Sequence, residues 1–180
     1  MKKIILLLCS LLFSSIIMAQ DTLEQSKKYY NSGQIAEAEA GFKEILKSNP
    51  NEPSALEYLG DIAFSRKQYS KAADYFKPLL QINKNNAHYH FKYAGAIGMQ
   101  AKNNKFKAMF LVDDIKFHFT KAAELDPNYK DARVALVQLY MELPSAFGGS
   151  KDKANLYANQ LAMLDEKMGK EAKALIESYK

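Results

Sequence analysis

Three histidines are the side chains of this sequence best suited to binding a metal. His88 and His90 are two positions apart, so on a helix their side chains would point about 200° away from each other. A zinc-binding pair on one helical face is instead spaced by four residues. We therefore interpret His88, His90 and His118 as surface or groove residues. The less favoured alternative is a small-ligand binder or enzyme that uses them.

Two other segments resemble chemical motifs only in part. The segment Gly148–Lys151 (GGSK) lacks the G-x-x-x-x-G-K-[ST] spacing of a phosphate-binding loop and follows no predicted strand. It favours a flexible connection in which Ser150 caps the next helix. Asp113 and Asp114 are interpreted as the acidic opening of a helix. With no G-x-S-x-G or H-E-x-x-H motif in the sequence, we predict no enzyme activity, no cofactor and no metal site.

Residues 1–19 have the three parts of a secretory signal peptide. Lys2–Lys3 precede an apolar run from Ile4 to Ile17, and Ala19 supplies a small residue for cleavage. A membrane-spanning helix needs about 20 apolar residues, which is longer than this run. We expect cleavage and export, to the periplasm or beyond, of a mature domain spanning 20–180. An uncleaved membrane anchor is the alternative.

Composition places the chain among ordinary globular proteins. Of the 180 residues, 48% are hydrophobic and 25% charged, while 8 Gly and 5 Pro are too few for a typical all-β domain. Cys9, the only cysteine, follows Leu8 where lipidation signals have a small residue, so we do not expect a lipoprotein. The 25 basic and 20 acidic residues give +5, and losing two lysines with the signal leaves +3. That charge is too small to indicate nucleic-acid binding.

The main organising feature is a recurrence of matching residue types 34 positions apart. Within each repeat, apolar and small residues follow helical spacing in two successive runs, which predicts a helix–turn–helix unit. Gly33 is expected to end the first helix in a left-handed conformation. The matching pairs are Ala38 and Ala72, Phe42 and Phe76, Ile45 and Leu79, and Leu46 and Leu80.

This recurrence resembles the tetratricopeptide repeat (TPR), a 34-residue unit with the pattern W-x2-L-G-x2-Y, then A-x3-F, then P. The best-matching unit contains Leu56, Leu59, Gly60, Ala72 and Phe76. The preceding unit contains Tyr29, Gly33, Ala38, Phe42 and Pro50. The resemblance implies an all-α, right-handed α-solenoid of about four TPR-like units with a C-terminal capping helix over Glu171–Tyr179. Gly60, Ala72 and Gly95 are expected where paired helices approach closely.

The resemblance also implies a groove lined by the first helix of each unit, where a protein or peptide partner would bind. The residues expected in this groove are Lys27, Tyr30, Asn31, Glu57, Asp61, Phe64, Lys92, Met99, Val134, Gln138 and Met141. One subgroup clamps a C-terminal carboxylate with Lys and Asn, but Leu23 and Lys27 stand at those sites here. We expect a non-enzymatic adaptor of the bacterial cell envelope, a monomer or weak oligomer.

The insertion at residues 102–112 in the third unit mixes basic and large apolar residues. We favour an extension of a helix in which Phe106, Met109 and Phe110 complete the core, because a run this apolar is usually buried. The alternative is a partner-binding arm or a membrane-surface segment.

Overall fold

The computed structural model describes residues 22–179, so the expected signal peptide and its cleavage site lie outside the described residues. Within that range the chain forms nine α-helices and one short 3-10 turn, and it contains no strand. The helices are α1 (22–31), α2 (Ile35–Ser48), α3 (Pro53–Ser65), α4 (Tyr69–Ile82), α5 (Ala87–Asn103), α6 (Lys105–Leu125), α7 (Lys130–Glu142), α8 (Lys151–Leu164) and α9 (Glu166–Ser178), with the turn Ser145–Phe147 before α8. The predicted all-α class is confirmed.

The helices form two compact units, one ending at Ile82 and the other beginning at Asn83. In the first unit, α3 packs against both α2 and α4. In the second unit, each helix from α5 to α9 packs against the next one in the chain. The chain order gives four helix pairs followed by α9, as predicted. This terminal helix begins at Glu166, five residues before the expected position.

Small residues let paired helices of the first unit approach closely. Gly60 of α3 lies directly against the ring of Phe76 in α4, as the spacing predicts. Between α1 and α2 the arrangement is reversed, because Ser26 of α1 is buried against Gly41 of α2. The Ser26 hydroxyl donates a hydrogen bond to the Thr22 carbonyl at 2.7 Å. A serine is therefore accommodated at the glycine site of this pair, since the second helix supplies the space.

The third predicted close contact, at Gly95, is wrong. No other group lies within 4 Å of the place where a β-carbon on Gly95 would be. Two turn predictions are confirmed: Gly33 ends its helix at φ +78°, and Ser150 caps α8 by accepting a hydrogen bond from the Lys153 amide. Helix α5, the first helix of the third repeat, is thus packed without a requirement for glycine at this position.

The insertion at residues 102–112 is helical and is divided between the end of α5 and the start of α6. Asn104 caps α6, its side chain accepting from the backbone amides of Phe106 and Lys107. Asp113 and Asp114 therefore lie inside α6, and the prediction that they open a helix is wrong. Asn104 supplies that cap nine residues earlier.

The expectation that the insertion completes the core is also wrong for its largest side chains. Phe106, Met109 and Phe110 are 71%, 57% and 70% exposed. The buried face of α6 is instead formed by Val112 and Ile115, which lie on the other side of the helix. The large apolar residues of the insertion thus form an external surface.

A buried cation holds the end of α6, which the sequence pattern did not reveal. Arg133 of α7 is 7% exposed, and its guanidinium donates to the carbonyls of Ala123 at 3.3 Å and Tyr129 at 3.1 Å. Carbonyls at a helix C-terminus have no partner within the helix, so a side-chain donor stabilises them. Arg133 thereby links α7 to the last turn of α6.

Candidate functional site

Helices α1 and α3, each the first helix of a repeat, form a continuous surface at Tyr30, Tyr58 and Asp61. The ring of Tyr30 in α1 meets the ring of Tyr58 in α3 edge to face, with their centroids 4.8 Å apart. Burial, followed by the negative charge of Asp61, raises the pKa of Tyr30 above its ordinary value. At neutral pH this phenol therefore remains protonated, and it lies beside a carboxylate. Tyr30 and Asp61, predicted as groove residues, are brought together.

The other predicted groove residues of this part of the chain lie on the same two helices, α1 and α3. Phe64 lies one helical turn beyond Asp61 on α3, is 37% exposed, and makes an edge contact with Tyr69 at 5.2 Å. Lys27 is half-buried and forms an ion pair of 2.9 Å with Glu24 on its own helix. Two further residues complete the set: Asn31 is exposed and Glu57 is half-buried. The surface thus offers a phenol, a carboxylate and an accessible aromatic ring.

The predicted groove residues of the second unit lie on α5 and α7. Lys92, Met99 and Val134 are half-buried, and Gln138 is exposed. Lys92 is the one charged side chain among these four residues, and its charge is positive, whereas the charge of Asp61 is negative.

Met141 does not belong to this surface, and its predicted place in the groove is wrong. It is 7% exposed and lies in the last turn of α7. The linker after α7 returns to that turn, where the Ser150 amide donates to the Tyr140 carbonyl at 2.9 Å. The sequence pattern placed Met141 on the same face as Val134, but the long linker makes this end of the helix part of the core.

A pair of histidines joins α5 to α6. His90 Nδ1 lies 2.7 Å from His118 Nδ1, and His90 Nε2 lies 3.0 Å from the carbonyl oxygen of Lys84. A carbonyl can only accept, so His90 Nε2 carries a hydrogen, and the two Nδ1 atoms share a second hydrogen between them. Burial, followed by the nearby His90, lowers the pKa of His118 to about 4, while the negative charge of Asp114 acts in the opposite direction.

The prediction of surface histidines is wrong for His90, which is 5% exposed. Its position follows from helical spacing, because His90, Ala94 and Ile97 occupy one face of α5 and are all buried. This spacing was available from the sequence. His88 lies on another face, where its Nδ1 is 2.9 Å from the Tyr129 hydroxyl. Across residues 22–179, no group of three or more His, Cys, Asp or Glu side chains is placed to hold a metal ion.

Comparison with known proteins agrees with this arrangement of helix pairs. Residues 23–87 match the family model for the tetratricopeptide repeat. A thermophilic TPR protein from Thermus thermophilus has 19% identity and a TM-score of 0.65, with 88% of this chain and 80% of that chain covered. Residues 23–87 therefore contain the tetratricopeptide repeat, and the described helices have the fold of TPR proteins. No curated protein matches this chain significantly.

Two further solved structures resemble this chain. A tetratricopeptide repeat protein from Parabacteroides merdae has 15% identity and a TM-score of 0.70, with 88% of this chain and 59% of that chain covered. The first TPR of Spaghetti (RPAP3), bound to the HSP90 peptide SRMEEVD, has 18% identity and a TM-score of 0.58, with 67% and 89% covered. TPR folds serve in general as protein–protein interaction modules without catalytic activity. None of the helices between residues 22 and 179 has the length and apolar character needed to cross a membrane.

Proposed function

We propose that this TPR protein is an exported, non-catalytic adaptor of the bacterial cell envelope that binds a peptide segment of a partner protein. The observation that carries the proposal is the surface shared by α1 and α3, where Tyr30 lies beside Asp61 and Phe64 is exposed one helical turn further along α3. Repeat proteins use the concave side of their stacked helices for extended ligands, and first helices line that side. The resemblance to a TPR structure with a bound peptide supports the same use here.

The chemistry of this surface favours a peptide that carries a hydrogen-bond donor or a basic side chain next to an apolar one. Asp61 would accept from the donor, and the exposed ring of Phe64 would contact the apolar side chain. The Tyr30 hydroxyl keeps its proton, so it can donate to a peptide carbonyl. Tyr30 and Tyr58 are already packed against the core of the first unit, so these side chains lose little freedom on binding.

Export is the second part of the proposal and is supported by the charged start, apolar run and small residue of positions 1–19. Intact-mass analysis of the protein recovered from the bacterial envelope tests this part. A mature chain that begins at or near Gln20 is the expected result. A chain that retains Lys2 would indicate an uncleaved anchor and would remove the periplasmic assignment.

Site-specific photocross-linking tests the binding surface in the cell. A photoreactive residue is introduced as Phe64→p-benzoylphenylalanine on α3, and as a control at Lys77, which is exposed on α4. We expect discrete cross-linked products from position 64, and their reduction when Asp61→Lys is added. Equal cross-linking from positions 64 and 77 would show that the α1–α3 surface is not the binding site.

A membrane-surface function is the second candidate, favoured by the exposure of Phe106, Met109 and Phe110. Interfacial helices combine such residues with a basic polar face. In α6, however, Asp113 and Asp114 are exposed within one or two turns of the phenylalanines. Carboxylates there oppose binding to an anionic membrane surface. Flotation with vesicles that contain anionic lipid tests this candidate, and recovery in the floating fraction would support it.

A further inference from the structure

The outward face of α6 carries four large apolar side chains that are largely exposed, although the ring of Phe117 also meets the edge of the buried His90 ring, with centroids 6.3 Å apart. Phe106, Met109, Phe110 and Phe117 are between 57% and 71% exposed. The rings of Phe106 and Phe110 meet edge to face, with their centroids 5.3 Å apart. The buried positions of α6, including Val112, Ile115 and Phe119, occupy its opposite face. Three exposed phenylalanines on one helix form an apolar surface that is unusual for a monomer.

The spacing of this surface is that of a helix–helix contact. Phe106, Phe110, Asp113 and Phe117 follow one another at intervals of four, three and four residues. These intervals are the alternating a and d positions of a heptad, through which one helix packs against another. The stripe is apolar at three of its four positions.

The charges beside the stripe are arranged for a second copy of the same helix. Lys107 and Asp114 are exposed and lie seven residues apart, on the same flank of the stripe. When two identical helices pair antiparallel about a two-fold axis near the middle of the stripe, Lys107 of each copy comes beside Asp114 of the other. The same axis places Phe106 of each copy against Phe117 of the other. A two-fold interface must be self-complementary in this way.

We propose that this face of α6, the stripe with Lys107 and Asp114, is a self-association surface that forms an antiparallel, two-fold dimer. Asp113 lies in the stripe, so the contact is not wholly apolar. Its carboxylate is 2.7 Å from Lys116 Nζ, which neutralises it within the same helix. The expected product is therefore a weak, reversible dimer. This inference goes beyond the proposed peptide binding and does not depend on it.

The balance of charge on this face favours a second copy over a membrane. Lys107 and Lys116 are matched by Asp113 and Asp114, so the face carries no excess positive charge to attract an anionic lipid surface. Inserting the phenylalanines into the lipid boundary would also carry these carboxylates toward the apolar region, which costs free energy. A second copy supplies opposite charges at the matching positions.

Analytical ultracentrifugation of the mature protein over a wide concentration range tests the proposal. We expect a monomer–dimer equilibrium that Phe106→Ser with Phe110→Ser abolishes. Met163→Ser is the matched control, because Met163 is 80% exposed on α8, and it should leave the equilibrium unchanged. Far-UV circular dichroism of each variant verifies that it is folded.

Exchanging the charges of Lys107 and Asp114 tests the pairing of these two residues separately from the loss of apolar surface. Lys107→Glu alone and Asp114→Lys alone should each raise the dimer dissociation constant by about tenfold, since two ion pairs are lost per dimer. The two substitutions together should restore the wild-type constant. A monomer at all concentrations, or a dimer that keeps its affinity without Phe106 and Phe110, would overturn the proposal. Flotation on anionic vesicles without self-association would overturn it in favour of a membrane surface.

Discussion

A β-carbon on Gly60 would overlap Cε1 of Phe76, because the backbone of α3 passes directly over that ring. The ring is 1% exposed and has no room to withdraw. We expect Gly60→Ala to destabilise the protein by about 1–3 kcal/mol, the usual cost of overpacking a core. The midpoint of urea unfolding measures it.

Gly95→Ala is the matched control for that substitution, since Gly95 is also helical but faces no other group within 4 Å. There the better helix propensity of alanine should stabilise the protein by up to about 1 kcal/mol. Equal effects at the two glycines would contradict the packing described for α3 and α4.

The ring of Phe76 should itself be among the strongest contributors to the core. Phe76→Ala removes a fully buried ring between α3 and α4, and such substitutions cost about 3–5 kcal/mol. Met163→Ala, at a position 80% exposed on α8, should change the free energy of unfolding by less than about 0.5 kcal/mol. Similar unfolding midpoints for the two variants would place Phe76 outside the core.

The Arg133 guanidinium should be essential to the junction between α6 and α7. Arg133→Gln leaves the carbonyls of Ala123 and Tyr129 without their donor, so we expect a loss of about 1–3 kcal/mol. Lys173→Gln removes an equal charge from an exposed position of α9 and serves as the control. Thermal unfolding compares the two variants, and a lower melting temperature is expected for Arg133→Gln alone. Equal melting temperatures would exclude a role of Arg133 in stabilising the junction between α6 and α7.

The histidine pair should make stability depend on pH in a defined window. The pKa of His118 is about 4 in the folded protein and 6.5 ordinarily, so between these values the unfolded chain binds the proton more readily. This contribution to stability is present above pH 6.5 and is lost as the pH falls toward about 4. Calorimetric melting temperatures should therefore decline less steeply over this window in His118→Gln than in the wild type. His88→Gln, at an exposed histidine, should keep the wild-type slope.

The helices were predictable because their signals are local and repeated. The 34-residue recurrence contains the apolar spacing of each helix and the small residue at Gly60, and both depend on neighbours in the same pair. Gly33 and Ser150 were predictable for the same reason, since helix ends depend on a few adjacent residues.

The errors arose where a side chain's surroundings depend on distant segments or on where a helix begins. The exposure of Phe106 and Phe110 follows from a helix start at Asn104, which apolar content alone does not locate. Met141 is buried at the helix end to which a long linker returns. Arg133 donates to the Ala123 carbonyl of the preceding helix and to the Tyr129 carbonyl of the connection, a role that apolar spacing does not indicate. Of the candidate site, Tyr30 and Asp61 were predictable from the repeat, but their closeness required the packing of α1 on α3.

Peptide affinity is the most direct test of binding through the α1–α3 surface. A peptide is selected from a random library on the mature protein, and its dissociation constant is measured by calorimetry for the wild type and two charge reversals. Asp61→Lys should weaken binding by about tenfold or more, because it places a like charge against the peptide's donor group. Asp74→Lys, on the exposed face of α4, should leave the affinity unchanged. Equal affinities for all three proteins, or equal losses in both variants, would contradict binding at this surface.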